Sequence, residues 1–266
     1  MKILFFTFAA LLLIGCSQPT ANDPVSSPNA GAEKRGAEIT AEFLKRDSAP
    51  FRKSRVRFTT TEEGQPPKIY ELDTWRAQSD GETKTLTRIV KPAEDADLAS
   101  LTIESEGKPT VVTSYVASRG EFRETDTNKI FFGGLTAGEL LGEWGKFDYK
   151  FIEEKTVDGQ KVYEIEGNLK KGESGLVQKM FILMGAENYV PVELRLFDNG
   201  GRHIRTYRIV ETKSDAKGAY AAKTEVENLI YRNKTIIEVL SREFPATIDA
   251  SFFERAKLKE IATKSK

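Results

Sequence analysis

Short runs in which apolar and polar residues alternate, separated by turn residues, cover the chain from about residue 51 onwards. Val, Ile, Thr, Tyr and Phe are frequent in these runs, and Asp80-Gly81 and Asp158-Gly159 stand between successive runs. Such dipeptides are typical of tight turns between antiparallel strands. The pattern therefore predicts an antiparallel meander. Strands are expected at residues 52–62, 67–78, 83–91, 98–105, 109–117, 121–125, 147–155, 160–168, 176–184, 190–198, 202–212, 219–228 and 234–242.

The clearest alternation lies in the segment 190–196. Its Val and Leu residues fall on one face of the predicted strand, and Glu193 and Arg195 fall on the other. Ile237 and Val239 share one face of a later strand in the same way. One face of the sheet is therefore expected to cover something apolar.

Three segments carry helical signals instead. Residues 37–46 have apolar side chains at helical spacing, with acidic residues early and basic residues late. Thr136 followed by Glu139 forms the pattern of a capping box. Asp249 is the expected N-cap of a short helix at 248–254. No long helices alternate with the strands, so a parallel α/β sheet is not expected.

A basic residue and an apolar run open the chain. Lys2 precedes an apolar run from Ile3 to Ile14, which is too short to span a bilayer and has the length of a signal-peptide core. Gly15 and Cys16 follow, and Leu13-Ile14-Gly15-Cys16 resembles the lipobox of bacterial lipoprotein signals. The resemblance implies cleavage between Gly15 and Cys16 and lipidation of the Cys16 thiol, which is nucleophilic as the thiolate. An ordinary signal with a chance cysteine, or an N-terminal anchor helix, are the alternatives.

The lipobox resemblance implies a place in the cell envelope of a Gram-negative-type bacterium. The chain would meet the membrane through the lipid on Cys16, and Ser17 rather than aspartate favours the outer membrane, facing the periplasm. The three predicted parts are a signal peptide at 1–15, the lipidated cysteine with a flexible tether at 16–36, and one β domain at 37–266. The tether is inferred from its Pro, Ser, Ala, Asn and Gly content, which offers little surface to bury.

Composition narrows the possible chemistry. Forty basic residues balance forty acidic ones, so the charge pattern of a nucleic-acid-binding protein is absent. His203 is the only histidine and Cys16 the only cysteine, which excludes a zinc site of the Cys/His type. No Gly-x-Ser-x-Gly motif and no phosphate-binding glycine loop occur. The sequence therefore predicts no metal, no cofactor and no enzymatic activity, and His203 is interpreted as an outward-facing, solvated side chain.

A series of motifs follows in a familiar order along the rest of the chain. The series consists of Tyr115-Val116-Ala117-Ser118-Arg119, the segments 128–134 and 135–141, Phe147-Asp148-Tyr149, the segments 162–167, 189–194 and 197–201, and Phe252-Phe253. In this order they resemble the outer-membrane lipoprotein-sorting protein family, with the LolA/LolB-like fold, over about residues 35–260. The resemblance implies a mainly β fold: an unclosed antiparallel β half-barrel with a few short helices covering its concave face.

The family resemblance also implies a function. A protein of this kind would bind acyl chains of lipids or lipoproteins in an apolar cavity, in lipoprotein sorting or lipid transfer. The alternative is a scaffold or partner-binding module of the envelope with the same fold and a filled concavity; its protein partners are left open. Alternation assigns to the cavity face Met180, Ile182, Val192, Leu194, Leu196, Ile237 and Val239.

Overall fold

The computed structural model describes residues 28–46, 49–105 and 107–263. The predicted signal peptide and the lipidation site, Gly15 and Cys16, lie outside these residues. Thirteen strands form, as the alternation predicts. They are Phe51–Glu62 (β1), Lys68–Ser79 (β2), Glu82–Lys91 (β3), Leu98–Ser105 (β4), Val111–Val116 (β5), Glu121–Thr125 (β6), Phe147–Val157 (β7), Gln160–Leu169 (β8), Lys179–Gly185 (β9), Pro191–Phe197 (β10), His203–Asp215 (β11), Gly218–Asn228 (β12) and Asn233–Glu243 (β13).

All thirteen strands belong to one antiparallel sheet. Its order is β6-β5-β4-β3-β2-β1-β13-β12-β11-β10-β9-β8-β7. Strands that follow each other in sequence pair, with the exception of β6 and β7, and β1 also pairs with β13 at the centre. The edge strands β6 and β7 do not pair with each other, and the sheet does not close. The mainly β fold with an unclosed antiparallel sheet is therefore confirmed.

Three α-helices within the described residues accompany the sheet. They are Pro28–Arg46 (α1), Ala137–Leu141 (α2) and Arg255–Thr263 (α3). The capping box predicted for α2 is present: the Glu139 amide donates to Thr136 Oγ1, and the Thr136 amide donates to Glu139 Oε2. Asp249 caps a 3-10 helix at Ala250–Phe253, and α3, which was not predicted, follows it. Within residues 28–263, no described helix combines the length and the apolar character needed to cross a membrane.

The helix α1 begins earlier than predicted. Because it starts at Pro28, the prediction of a flexible tether is wrong for residues 28–36. The physical reason is a close backbone approach. A Cβ at Gly36 would lie 2.7 Å from the carbonyl oxygen of Tyr149 in β7. Gly36 lets this part of the helix lie directly on β7, and a search for large apolar residues cannot detect such packing.

The two halves of the sheet have their larger apolar cores on opposite faces. In the half that contains β7 to β10, the core lies on the concave face, where Ile39 of α1 is buried among sheet residues. In the half that contains β2 to β5, the larger core lies on the convex face, where α3 packs through Leu258, and a smaller cluster with Leu72 and Ile89 lies on the concave face. Thus α1 and α2 cover the concave face as expected, whereas α3 covers the other face. The first core includes Phe147, Tyr149, Ile165, Met180, Ile182 and Leu196, and the second Leu86, Ala99, Leu101, Tyr115 and Phe253.

Candidate functional site

A cavity of about 810 Å³ lies between the concave face of the sheet and the segment 127–146, which connects β6 to β7 and contains α2. Ligand-binding cavities in proteins commonly enclose roughly 300–1,000 Å³, so this space is large enough for a small-molecule ligand. The segment 127–146 is called the lid below. Two walls of different chemistry face each other under it.

The first wall, called the apolar wall, comes from the half of the sheet that α1 covers. Aliphatic and aromatic side chains of β7 to β10 and of the loops beside them form it, together with Phe43 of α1. Its principal members are Phe147, Leu169, Leu176, Val177, Met180, Val190, Pro191, Leu194 and Leu196. An uninterrupted surface of this kind can shield a hydrocarbon chain from water.

Five of the seven residues assigned to the cavity from alternation line it. Three lie on the apolar wall and two on β13 near the centre of the sheet; they are Met180, Leu194, Leu196, Ile237 and Val239. The other two do not line it. Ile182 is fully buried in the concave core that also contains Ile39. Val192 lies at an irregularity in the β9–β10 pairing, between Pro191 and Glu193, so the simple alternation of faces is interrupted there.

The second wall, called the hydroxyl wall, comes from β1 to β4. Alternate residues of these strands point into the cavity, and seven of these sixteen residues carry hydroxyl groups. Five others are apolar: Val56, Phe58, Leu72, Ile89 and Leu98. The wall consists of Ser54, Thr74, Thr83, Thr85, Thr87, Ser100 and Thr102. The residues between them, such as Leu86 and Leu101, face the convex core instead. The cavity therefore has an apolar side and a hydrogen-bonding side.

A buried ion pair fixes the lid to the sheet. Arg205 of β11 is completely buried, and its Nη1 lies 2.9 Å from Oε1 of Glu139 in α2. The contact is electrostatic rather than a well-aligned hydrogen bond, because Arg205 Nη1 has no aligned acceptor among the described residues. Arg205 Nη2 donates to the carbonyl of Gly134, and the Tyr207 hydroxyl donates to Glu139 Oε1 at 3.2 Å. Burial raises the pKa of Tyr207 well above its ordinary value, which keeps this donor protonated.

The turn at Gly133-Gly134 brings the lid backbone onto the sheet. Gly134 has a φ of +75°, which favours glycine, and a Cβ there would lie 2.4 Å from the Tyr231 ring. Asn228 Nδ2 donates to the Gly133 carbonyl at 3.0 Å. Phe132 next to this turn packs with Phe58 on the concave face. Near this turn, the lid is thus attached to the sheet by the hydrogen bond from Asn228 and by the packing of the Phe132 ring.

Charged groups of both signs lie near the hydroxyl wall. Glu104 lies beyond Thr102 on β4 and lines the cavity with Arg76. Burial raises the pKa of the Glu104 carboxyl; Arg76 opposes this shift and Glu143 adds to it. Lys146 Nζ pairs with Glu143 Oε1 at 2.8 Å in the lid above. The cavity therefore carries no strong excess of one charge at this end.

Arg205 was not singled out from the sequence. In the sequence, Arg205 lies two positions before Tyr207 and four before Ile209, which both line the cavity. This spacing places a charged residue on an otherwise apolar face of the strand, and it could have identified Arg205. His203 faces away from the cavity, as interpreted, because its ring stacks on Phe197 and Phe197 packs on Phe181 outside the cavity lining. The expectation that the ring is fully solvated is wrong. The His203 ring is half-buried, stacks on Phe197 at 5.1 Å and contacts the Thr206 hydroxyl at 3.0 Å. Across residues 28–263 as far as they are described, no three His, Cys, Asp or Glu residues are grouped as a metal site would require.

Comparisons with known proteins agree with this architecture. A family model described as "Uncharacterized protein" matches residues 81–260. A DUF1329 family protein from Desulfovibrio piger is 15% identical with a TM-score of 0.80, over 85% of this chain and 99% of that chain. A domain from Vibrio parahaemolyticus, described as a candidate outer membrane lipoprotein-sorting protein, is 16% identical with a TM-score of 0.78, over 85% and 99%. A LolA superfamily protein from Nitrosomonas europaea is 12% identical with a TM-score of 0.70, over 84% and 98%.

The chain belongs to the family whose model it matches, because that match spans more than half of its length. The three solved structures have the fold of this chain, which is the LolA-like fold expected from the order of motifs. A search of curated protein sequences found no significant match.

Proposed function

We propose that this protein is a non-enzymatic, lipid-anchored envelope protein that holds acyl chains of lipids or lipoproteins in the cavity under its lid, in lipoprotein sorting or lipid transfer. The observation that carries the proposal is the cavity of about 810 Å³ with its apolar wall. The similarity in fold to a LolA superfamily protein and to the candidate lipoprotein-sorting domain supports it.

Transfer by such a protein needs no covalent chemistry. Each methylene group removed from water contributes about 0.8 kcal/mol, so a chain lying along the apolar wall is held by burial alone. The same non-directional force acts in the acceptor membrane or carrier, which allows the chain to exchange without passing through water. The lid, which is attached to the sheet by the pair of Arg205 and Glu139 and by the packing of Phe132 and Leu140, is the part that would move to let a chain enter.

The anchor in this proposal is the lipid on Cys16, placed in the outer membrane of a Gram-negative-type cell and facing the periplasm. The sequence Leu13-Ile14-Gly15-Cys16 supports it. Cys16→Ser should abolish incorporation of a radioactive fatty acid and release the protein from the membrane fraction, since a serine hydroxyl is a much weaker nucleophile than a thiolate. Membrane association without any label in the unaltered protein would contradict the anchor.

The acyl-chain site is tested with Leu194→Glu on the apolar wall. In a hydrated cavity the carboxylate stays solvated, so the domain should remain folded and lose a fluorescent fatty-acid probe. Leu240→Glu is the matched control, because Leu240 is exposed on β13 and absent from the cavity lining. Thermal melts and probe titrations of both variants separate loss of binding from loss of folding. If the unaltered protein does not bind the fluorescent fatty-acid probe, acyl-chain binding is refuted.

A scaffold function is the second candidate, and one observation favours it. Phe132 and Leu140 of the lid pack against Phe58, Leu72 and Ile89, so the chain fills part of its own concavity. A scaffold would copurify without lipid, whereas a carrier would bring lipid with it. Mass spectrometry of the native protein distinguishes these outcomes directly.

A further inference from the structure

The hydroxyl wall has no role in binding an acyl chain, yet its seven residues lie together on the cavity side of β1 to β4. Its members make cross-strand rows. Thr74 pairs with Thr87, and Thr87 pairs with Ser100. In the next row Thr85 pairs with Thr102. Directly paired side chains in antiparallel strands lie about 4.5–5.5 Å apart, so the hydroxyl groups form a regular lattice across β2, β3 and β4.

These hydroxyl groups are available to a ligand. Thr85, Thr87 and Thr102 line the cavity, and none of the hydrogen bonds found between described residues uses their hydroxyl groups. Ser100 is different, because its Oγ lies 2.9 Å from that of Ser114. Hydroxyl groups can donate and accept, so an array of them suits neutral partners such as hydroxyl and amide groups. Charges of both signs nearby, such as Arg76 and Glu104, give an anionic head group no clear advantage.

We propose that the hydroxyl wall binds the neutral, hydrogen-bonding head of an amphipathic ligand whose chain lies on the apolar wall opposite. The head carries hydroxyl groups, as a sugar does, or amide groups, as an acylated peptide does. This inference rests on the proposed function, because it takes an acyl chain in the cavity as given. It assigns the ligand class by matching each end of the molecule to one wall.

The test compares ligands that share a chain and differ in the head. Decanol, decyl glucoside and the decanoyl amide of a glycine peptide are titrated below their micelle concentrations against a fluorescent fatty-acid probe on the purified protein. At least one headed ligand should bind about tenfold more tightly than decanol, the effect of one or two net hydrogen bonds. Which of the two gains more identifies sugar or amide as the head.

In the double variant Thr85→Val with Thr87→Val, the affinity of the headed ligands relative to that of decanol should fall to about one. Thr156→Val, at an exposed position of β7, is the control. If the double variant has a low melting temperature, Thr102→Val on the adjacent strand is the second test. It should also reduce the extra affinity of the headed ligand over decanol. Equal affinity for all three ligands would overturn the head-group site while acyl binding stands. Binding of none of them would overturn both proposals.

Discussion

The half of the sheet built from β2 to β5 and the half built from β7 to β10 differ in which face buries the larger apolar core. Near β7 to β10, the concave face is apolar and α1 covers it, while the convex face carries ion pairs such as Arg195 with Glu164. Near β2 to β5, the convex face is apolar and α3 covers it, while the concave face carries hydroxyl groups beside a smaller apolar cluster that includes Leu72 and Ile89. One continuous sheet therefore presents two chemistries to one cavity, which a sheet with a single apolar face would not do.

The largest expected effect on stability comes from the ion pair of Arg205 and Glu139, which attaches the lid to the sheet. Arg205→Met should destabilise the protein by about 4 kcal/mol, because it leaves Glu139 charged and buried without its partner. Arg208→Met on the same strand removes a half-exposed pair with Glu193 and should cost less than about 1 kcal/mol. Urea unfolding measures both changes.

A second variant separates the charge from the packing in that test. Arg205→Met combined with Glu139→Gln removes both charges and keeps an amide oxygen that can accept a hydrogen bond, so much of the lost stability should return. A double variant as unstable as the single one would show that Arg205 acts through its other contact, the donation to the Gly134 carbonyl.

The next effect concerns the convex core of the β2 to β5 half. Leu258→Ala should reduce the free energy of unfolding by about 3 kcal/mol, because Leu258 is fully buried in α3. Binding of the fatty-acid probe should be unchanged at temperatures where the variant is folded, since α3 lies on the face opposite the cavity. Lys259→Ala, exposed on the same helix, is the control. A loss of probe affinity in folded Leu258→Ala would contradict the separation of the two faces.

A smaller effect is expected where α1 covers the apolar wall. Gly36→Ala should destabilise by about 2 kcal/mol, because the new Cβ meets the backbone of β7 at 2.7 Å and the helix must shift. Gly31→Ala in the same helix has nothing within 4 Å and should stabilise by roughly 0.5–1 kcal/mol through helix propensity. Thermal melts should show a lower melting temperature for Gly36→Ala and a higher one for Gly31→Ala. Changes of the same sign would contradict the described packing of α1.

The strands could be predicted from the sequence because alternation and turn residues are local. The capping box of Thr136 and Glu139 was predicted for the same reason. The change of buried face was not predicted, because alternation shows that one side of a strand is apolar but not which side of the sheet it joins. Val192 shows the limit within one strand, since an irregular pairing interrupts the assignment of faces. Arg205 was missed because its partner is distant in sequence.

The smallest expected effect comes from Glu104 at the end of the hydroxyl wall. Burial raises the pKa of its carboxyl in the folded protein above the ordinary value, so the folded state binds the proton more readily than the unfolded state. Ionised Glu104 therefore opposes folding at neutral pH, and this penalty disappears as the pH falls through the raised pKa. Glu104→Gln should raise the melting temperature at pH 7, and the gain should shrink towards pH 4. Glu63→Gln, at an exposed turn, is the control. If Glu104→Gln gave the same gain in melting temperature at both pH values, the effect would come from packing. Burial of the ionised Glu104 carboxylate would then not be the cause.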